Sequence, residues 1–207
     1  MDLRLIVITD RALAAPRPVL DVVRAALEAG APAIQLRDKT ADARSLFEQA
    51  RALLPLTRRH GALLFVNDRL DVALAASADG VHLGPDDIPL AAARAAVPPG
   101  FLVGFSTDDP VRARAAAAEG ASYIGCGAVF GTGTKDVGGE RIGTERLRRV
   151  VEAAGIPVVG IGGVNPSNIV EIARTGAAGA AAVGAVMAAP NPASAVRALL
   201  APFDAGH

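Results

Sequence analysis

The feature that most constrains the fold is a regular alternation of short apolar runs with longer helix-like segments, repeated eight times over 207 residues. β-branched and small residues dominate the short runs, which is typical of strands buried in a parallel sheet. The predicted strands cover residues 3–8, 33–36, 62–66, 80–83, 101–104, 122–125, 157–161 and 179–183. Because parallel strands need crossover helices, the pattern predicts one α/β domain over residues 1–207.

The segments between these strands repeat apolar residues at helical spacing, over residues 18–29, 43–60, 111–119, 144–154 and 166–175. Several end in a glycine suited to the left-handed position after a helix, at Gly30, Gly61, Gly120, Gly155 and Gly176. Asn165 followed by Pro166 predicts a helix start. Eight such repeats in about 200 residues favour a closed (β/α)8 TIM barrel. A doubly wound open sheet is the alternative.

The charge balance bears on partners and location. Lys and Arg together number 21, as do Asp and Glu, so the net charge is zero. The chain therefore has no overall basic field for nucleic acid, and we expect no nucleic-acid partner. The single cysteine, Cys126, excludes an internal disulfide and favours a reducing compartment. Without an apolar leader or a run long enough to span a bilayer, we expect a cytoplasmic protein with no membrane contact.

Polar residues follow the predicted strands at the ends where active sites of such barrels form. Gln35, Arg37 and Lys39 alternate after the second strand, so they share one face while the chain stays extended. Two cations and an amide on one face favour an anionic, hydrogen-bonding ligand. The alternative is a solvated loop with a local ion pair to Asp38.

Carboxylates follow the next two strands, with Asp68 after the third and Asp87 after the fourth. Mg²⁺ takes one or two protein carboxylates and completes its shell with substrate phosphates and water. Because neighbouring strand ends lie side by side, the pair predicts a magnesium site. Alternatively, Asp68 and the adjacent Asp86 and Asp87 cap the helices that follow, which is a common fate of aspartate.

Three further residues near strand ends allow more than one interpretation. Ser106 ends the fifth strand, where it either hydrogen-bonds a ligand or caps the next helix. His82 either lines the barrel mouth or packs in the core. We expect Cys126 to pack as a small apolar residue.

A glycine-rich segment, residues 131–143, follows the sixth strand and is longer than most strand-to-helix loops. Such loops are commonly lids over active sites, and this one contains Thr132, Thr134 and Lys135, which can hold phosphate oxygens. The alternative is a mobile surface loop without a ligand.

Backbone N–H groups near glycines can also hold an anion after the last two strands. Gly163 follows the seventh strand, and Val183 and Gly184 follow the eighth, where barrels of this class bind phosphate. The alternative is tight packing by small residues.

In chain order, these strand ends resemble the signature of the thiamine-phosphate synthases from about residue 8 to residue 186. The matching pieces are Gln35-Leu36-Arg37-Asp38-Lys39, Asn67-Asp68-Arg69, Gly80-Val81-His82-Leu83-Gly84, Thr132-x-Thr134-Lys135 and Ile161-Gly162-Gly163. Enzymes of this family join a pyrimidine pyrophosphate to a thiazole phosphate and release pyrophosphate. The resemblance therefore implies these small-molecule substrates, a Mg²⁺ cofactor and a homodimer.

The resemblance also implies roles on the pyrimidine side. Gln35 would recognise the aminopyrimidine, and Asp68 and Asp87 would bind Mg²⁺ on its pyrophosphate. The residues expected to hold the pyrophosphate are Arg37, Lys39, Asn67 and Lys135. Departure of pyrophosphate would leave a pyrimidinylmethyl cation, which the thiazole nitrogen captures.

On the thiazole side, Ser106 would lie between the two substrates. The residues expected to hold the thiazole phosphate are Thr132, Thr134 and the backbone of Gly163, Val183 and Gly184. The chemical step is assigned to Ser106, Lys135 and Arg37.

The chain departs from the family pattern at a few positions. Pro85 replaces a common glutamine, Gly184 replaces a common serine, and Asp108 stands where many relatives have a histidine. A related thiazole tautomerase tends to lose the metal carboxylates and uses that histidine, so Asp68, Asp87 and Asp108 favour the synthase. A catalytically silent phosphate-metabolite binding protein and another phosphate-using barrel enzyme are the remaining alternatives.

Overall fold

The computed structural model describes residues 1–131 and 141–204. Its strands are β1 (Leu5–Ile8), β2 (Ala33–Leu36), β3 (Leu63–Asn67), β4 (Gly80–Leu83), β5 (Leu102–Ser106), β6 (Tyr123–Cys126), β7 (Val158–Ile161) and β8 (Gly179–Ala182). They form a closed parallel barrel in chain order, with β8 paired to β1. The predicted (β/α)8 TIM barrel is confirmed, and the open-sheet alternative is wrong.

Helices follow the strands around the outside of the barrel. Those in the described residues are α1 (Arg11–Ala14), α2 (Val19–Glu28), α3 (Ala43–Arg59), α4 (Leu70–Ala75), α5 (Leu90–Ala96), α6 (Pro110–Ala118), α7 (Gly143–Ala154), α8 (Ile169–Ala173), α9 (Gly184–Met187) and α10 (Pro192–Asp204). In the described part of the chain, no helix is both long and apolar enough to span a bilayer.

The structure agrees with the helix ends predicted from glycines, but it differs from one predicted helix start. Each of the glycines predicted to follow a helix has a positive φ, as in Gly155 at 69° and Gly176 at 82°. The predicted start of α8 at Asn165 and Pro166 is wrong, because the helix begins at Ile169. Asn165 instead begins a turn, in which its side-chain oxygen accepts a hydrogen bond from the Ser167 N–H.

Two apolar layers follow from the alternation of side chains along each strand. Residues such as Ile34 and Val66 point outward and pack beneath the helices in the larger cluster. Residues such as Ile6, Phe65 and Tyr123 point inward and fill the lower barrel. On β2 to β5 the next inward positions towards the carboxyl ends carry polar groups, so this half of the barrel interior changes from apolar to polar along the axis. These residues are Gln35, Asn67, His82 and Ser106.

Small residues at the β8–β1 seam are needed for barrel closure. A Cβ atom on Gly179 would overlap the carbonyl oxygen of Leu3 and lie 2.7 Å from the Arg4 backbone. We expect Gly179→Ala to lower the free energy of unfolding by about 3 kcal/mol or more, because the strand itself must move.

Gly155→Ala is the matched control. A Cβ there meets no described residue within 4 Å, so the left-handed φ of 69° is what opposes the substitution, and a loss of about 1 kcal/mol is expected. Urea denaturation of both variants measures the difference. Equal losses would show that the seam tolerates a side chain.

Candidate active site

A cavity of about 520 Å³ opens at the carboxyl ends of the strands, a size usual for small-molecule sites. Its floor is apolar, with Ile6, Ile161 and Ala181, and its rim is polar. The predicted site residues that line it are Gln35, Arg37, Lys39, Asn67, Asp68, Ser106, Gly163, Val183 and Gly184. Thr132, Thr134 and Lys135 lie outside the described residues, so their predicted roles stay predictions.

The strand β2 brings Gln35 and Arg37 to this mouth. Gln35 is buried, and the backbone of Arg37 is held by Thr9 at the end of β1. The Thr9 hydroxyl accepts a hydrogen bond from the Arg37 N–H at 2.9 Å and donates one to the Arg37 carbonyl at 3.3 Å. Because Thr9 is itself buried, it fixes where the Arg37 side chain leaves the strand.

The carboxylate of Asp38 does not form the local ion pair considered as an alternative. It accepts hydrogen bonds from the N–H groups of Thr40 and Ala41, at 3.0 and 3.1 Å. Lys39 instead lies with its Nζ 3.9 Å from an oxygen of Asp68, across the boundary between β2 and β3. The cations after β2 therefore face the carboxylates of the neighbouring strand ends.

Neither predicted metal ligand caps a helix. The N-cap positions of α4 and α5 are Arg69 and Pro89, and neither has a side-chain capping hydrogen bond. Asp68 follows β3 with a φ of 63°, an uncommon conformation that aspartate tolerates better than most residues. Asp87 accepts a hydrogen bond from the Gly84 N–H at 2.7 Å, which turns the loop after β4 back on itself.

The two carboxylates interact with each other. Burial raises the pKa of Asp68, and the charge of Asp87 and a hydrogen bond with it raise this pKa further. Lys39 and Arg37 oppose the shift. Two close carboxylates repel each other when both are charged, and a divalent cation would relieve that repulsion.

The donor set fits Mg²⁺ held partly by substrate. Among the described residues, no three His, Cys, Asp or Glu side chains gather as a metal site. A pair of carboxylates leaves most of the coordination shell to phosphate oxygens and water, as Mg²⁺ prefers. Asp68 and Asp87 are the residues that would hold the ion.

Ser106 and His82 meet on the inner wall of the cavity. The His82 Nε2 lies 2.8 Å from the Ser106 hydroxyl, and its Nδ1 lies 2.9 Å from the Tyr123 hydroxyl. The N-cap of α6 is Asp109, so Ser106 does not cap that helix. Both interpretations of His82 hold in part, because it lines the cavity and is also half-buried among polar partners.

The opposite side of the cavity presents backbone groups. Gly163 follows β7 with a φ of 65°, and its carbonyl accepts hydrogen bonds from the side-chain amides of Asn165 and Asn168, at 3.1 and 2.9 Å. Val183 and Gly184 lie at the start of α9 beside it in the cavity wall. The asparagines fix the peptide planes of a loop suited to an anion.

Sequence reasoning missed the residues that support others. The sequence did not identify Thr9, Tyr123, Asn165 or Asn168 as site residues, although Tyr123 and Asn165 line the cavity. Each of the four hydrogen-bonds a residue of the family signature, namely Arg37, His82 or Gly163. One sequence signal could have identified Tyr123 as a site residue: it lies two positions before Gly125, so both share the inward face of β6. Cys126 was predicted correctly as a packing residue: it is buried, and burial raises its thiol pKa to about 12.

A closed barrel with a cavity at the carboxyl ends of its strands, holding paired carboxylates and cations, defines a (β/α)8-barrel enzyme. Residues 5–186 match the family model described as thiamine monophosphate synthase. The chain belongs to that family.

Individual relatives agree with this assignment. The chain is 48% identical over 193 residues to the thiamine-phosphate synthase of Roseiflexus castenholzii, covering 93% of this chain and 85% of the relative. It is 46% identical to the thiamine-phosphate synthase of Moorella thermoacetica over 194 residues, 94% of this chain and 92% of the relative.

The same agreement holds for solved structures. The thiamine phosphate pyrophosphorylase of Pyrococcus furiosus superposes with a TM-score of 0.90 at 44% identity, covering 99% of this chain and 96% of that one. A 3-hexulose-6-phosphate synthase shares the fold alone, with a TM-score of 0.69 at 22% identity, 96% of this chain and 99% of that one.

The pKa shift of Asp68 makes stability depend on pH. A raised folded pKa stabilises the fold below the ordinary aspartate value of 3.8, and this contribution is lost as pH rises through the folded pKa. In EDTA, we expect Asp68→Asn to raise Tm relative to wild type near about pH 7. Since the Asp68 side chain is 33% exposed, the gain in the free energy of unfolding should stay below about 1 kcal/mol.

Asp86→Asn is the control, because Asp86 is exposed beside the same site. Thermal melts of the three proteins, near neutral pH and below about pH 4, measure the effect. A Tm gain for Asp68→Asn that persists unchanged in acid would contradict the assigned cause.

Proposed function

We propose that this chain is a Mg²⁺-dependent transferase that joins 4-amino-2-methyl-5-hydroxymethylpyrimidine pyrophosphate to 4-methyl-5-hydroxyethylthiazole phosphate, releasing pyrophosphate. The observation that carries the proposal is that Asp68 meets Arg37 and Lys39 at the cavity mouth and also interacts with Asp87, which lines the adjoining pocket. The relatives named as thiamine-phosphate synthases support the same reaction.

The residues at the mouth suit departure of a diphosphate. Arg37 and Lys39 bind its oxygens, and Asn67 adds an amide donor. Asp68 and Asp87 would hold Mg²⁺, which would supply further neutralisation of the negative charge on the leaving group. Lys135 has the same expected role and lies outside the described residues. In this proposal, charge stabilisation contributes more than any proton transfer.

The deeper cavity suits the organic cation that remains. Gln35 orients the aminopyrimidine, and the apolar side chains of Ile6 and Ile161 exclude water beneath it. Ser106 lies between the pyrimidine side and the loops after β7 and β8. The thiazole phosphate is held by the backbone of Gly163, Val183 and Gly184 and by the side chains of Thr132 and Thr134. This binding places the thiazole nitrogen where it can attack the methylene carbon.

The thiazole tautomerase is the second candidate. The feature that disfavours it is Asp108, which lines the cavity where the resemblance places a histidine in that enzyme. The retained pair of Asp68 and Asp87 disfavours both the tautomerase and a silent binding protein. Another phosphate-using barrel enzyme would have no evident need to combine this pair of carboxylates with the cations after β2.

We further propose that the chain works in the cytoplasm as a homodimer. A single buried thiol with a raised pKa is compatible with a reducing compartment. The dimer rests on family resemblance, and analytical ultracentrifugation measures it directly.

The metal assignment predicts a difference between neighbouring aspartates. With both substrates and Mg²⁺, we expect thiamine phosphate from wild type and little product in EDTA. Asp68→Asn should lower kcat/KM by about a hundredfold or more, because it removes a metal ligand, whereas Asp86→Asn should stay within about threefold. Product is measured by chromatography. Equal losses in the two variants would reject the choice of ligands, and absence of product from wild type would reject the synthase.

The departure at Gly184 predicts a gain of function. Among residues 1–131 and 141–204, a Cβ atom there meets only Leu13, at 3.8 Å, so a serine fits without displacing their backbone. We expect Gly184→Ser to lower KM for the thiazole phosphate by about threefold to tenfold through one added hydrogen bond. Gly184→Ala supplies the same Cβ without the hydroxyl and should not lower KM. An equal decrease in both variants would assign the effect to packing.

A further inference from the structure

A chain of hydrogen bonds in the cavity wall ends at Ser106, which the proposed function assigns to the ligand. Ser106 contacts His82, and His82 contacts Tyr123, at 2.8 and 2.9 Å. Gln35 lines the same cavity as Tyr123, and its side chain partly opposes the rise in the Tyr123 pKa that burial causes. Ser106 and Tyr123 are therefore linked through an imidazole, with the Gln35 amide beside the phenol.

The partners fix the direction of each bond. Tyr123 is buried, which raises its pKa so that it keeps its proton, and among the described residues His82 Nδ1 is the acceptor at hydrogen-bond distance from its hydroxyl. The Tyr123 O–H then donates to His82 Nδ1. A neutral imidazole that accepts at Nδ1 carries its proton at Nε2, so His82 donates to the Ser106 oxygen.

We propose that His82 is a positioning residue that holds the Ser106 oxygen and turns its proton into the cavity. At the other end, Tyr123 takes the amide N–H of Gln35 and leaves the Gln35 carbonyl for the ligand. The cavity thus presents one fixed acceptor and one fixed donor. A ring with an amino group beside a ring nitrogen matches them, so this inference rests on the proposed aminopyrimidine substrate.

Glycines make room for the rings that carry this arrangement. A Cβ atom on Gly104 would lie 2.6 Å from His82 Nδ1, and one on Gly125 would lie 3.0 Å from His82 Cε1. Phe65 packs its ring edge against Tyr123, with centroids 5.4 Å apart. The imidazole and the phenol therefore have little freedom to rotate, which is what a positioning role requires.

Two amide substitutions distinguish the hydrogen bonds made by the two ring nitrogens of His82. Glutamine places an N–H near the original Nε2 and keeps the bond to Ser106, whereas asparagine places an oxygen near Nδ1 and keeps only the bond to Tyr123. We expect His82→Asn to lower kcat/KM for the pyrimidine substrate about tenfold to a hundredfold, and His82→Gln to stay within about threefold of wild type. His60→Gln, at an exposed helix end, is the control.

A double-mutant cycle tests whether His82 acts through Ser106. In a Ser106→Ala background, His82→Asn should cost no further activity, because the hydroxyl it positions is gone. An additional loss as large as in wild type would overturn the proposal, as would equal losses for the asparagine and glutamine variants. Tm is measured for each protein. If His82→Asn does not fold, the same cycle is run with Tyr123→Phe.

Binding distinguishes this inference from the proposed reaction. Calorimetry compares 4-amino-2-methyl-5-hydroxymethylpyrimidine with its 4-oxo analogue, without turnover. Wild type should prefer the amine about tenfold or more, and Tyr123→Phe should reduce this preference, because the Gln35 amide can then turn over. An unchanged preference would overturn the inference even if wild type makes thiamine phosphate. Absence of product with this preference intact would reject only the reaction.

Discussion

The pairing of β8 with β1 is the constraint from which the site follows. The register places Ile6 between Ala33 on β2 and Ala181 on β8, so small side chains flank it on both neighbouring strands. Across the barrel, the rings of Phe65 and Tyr123 fill the volume. Closure therefore brings all the strand ends to one mouth, and the cavity lies between them.

Charge at that mouth is arranged across strand boundaries. The cations follow β2, the first carboxylate follows β3 and the second follows β4, so each charged group faces another from a neighbouring strand. Charging both carboxylates without a ligand is costly: burial raises the pKa of Asp68, the neighbouring Asp87 raises it further, and Lys39 and Arg37 offset only part of the shift. Sites that carry this kind of electrostatic conflict commonly resolve it when the ligand binds.

The fold could be predicted from the sequence because its signals are local. Each strand is a short apolar run, and each glycine such as Gly155 marks a helix end through its own backbone conformation. The strand ends then located Gln35, Arg37 and Asp68, because the topology of a parallel barrel places them together. Within the described residues, the main error was local too: Asn165 and Pro166 form a turn ahead of α8.

The supporting contacts could not be predicted in the same way. Thr9 hydrogen-bonds Arg37, which is 28 residues away in the sequence, and His82 hydrogen-bonds Tyr123, which is 41 residues away. Such contacts depend on the register between strands, and the sequence of one strand does not contain its offset from the next. The capping alternatives for Asp68 and Ser106 were reasonable for the same reason, since a cap is local and a shared site is not.

Tyr123 gives the molecule a spectroscopic property of its own. The chain has no tryptophan and a single tyrosine, and that tyrosine is the one hydrogen-bonded beneath the cavity. Near-ultraviolet absorption and fluorescence of this protein therefore arise chiefly from one ring, whose environment changes when the cavity fills. Occupancy of the site can be followed optically in the unlabelled chain, without a dye or an engineered reporter.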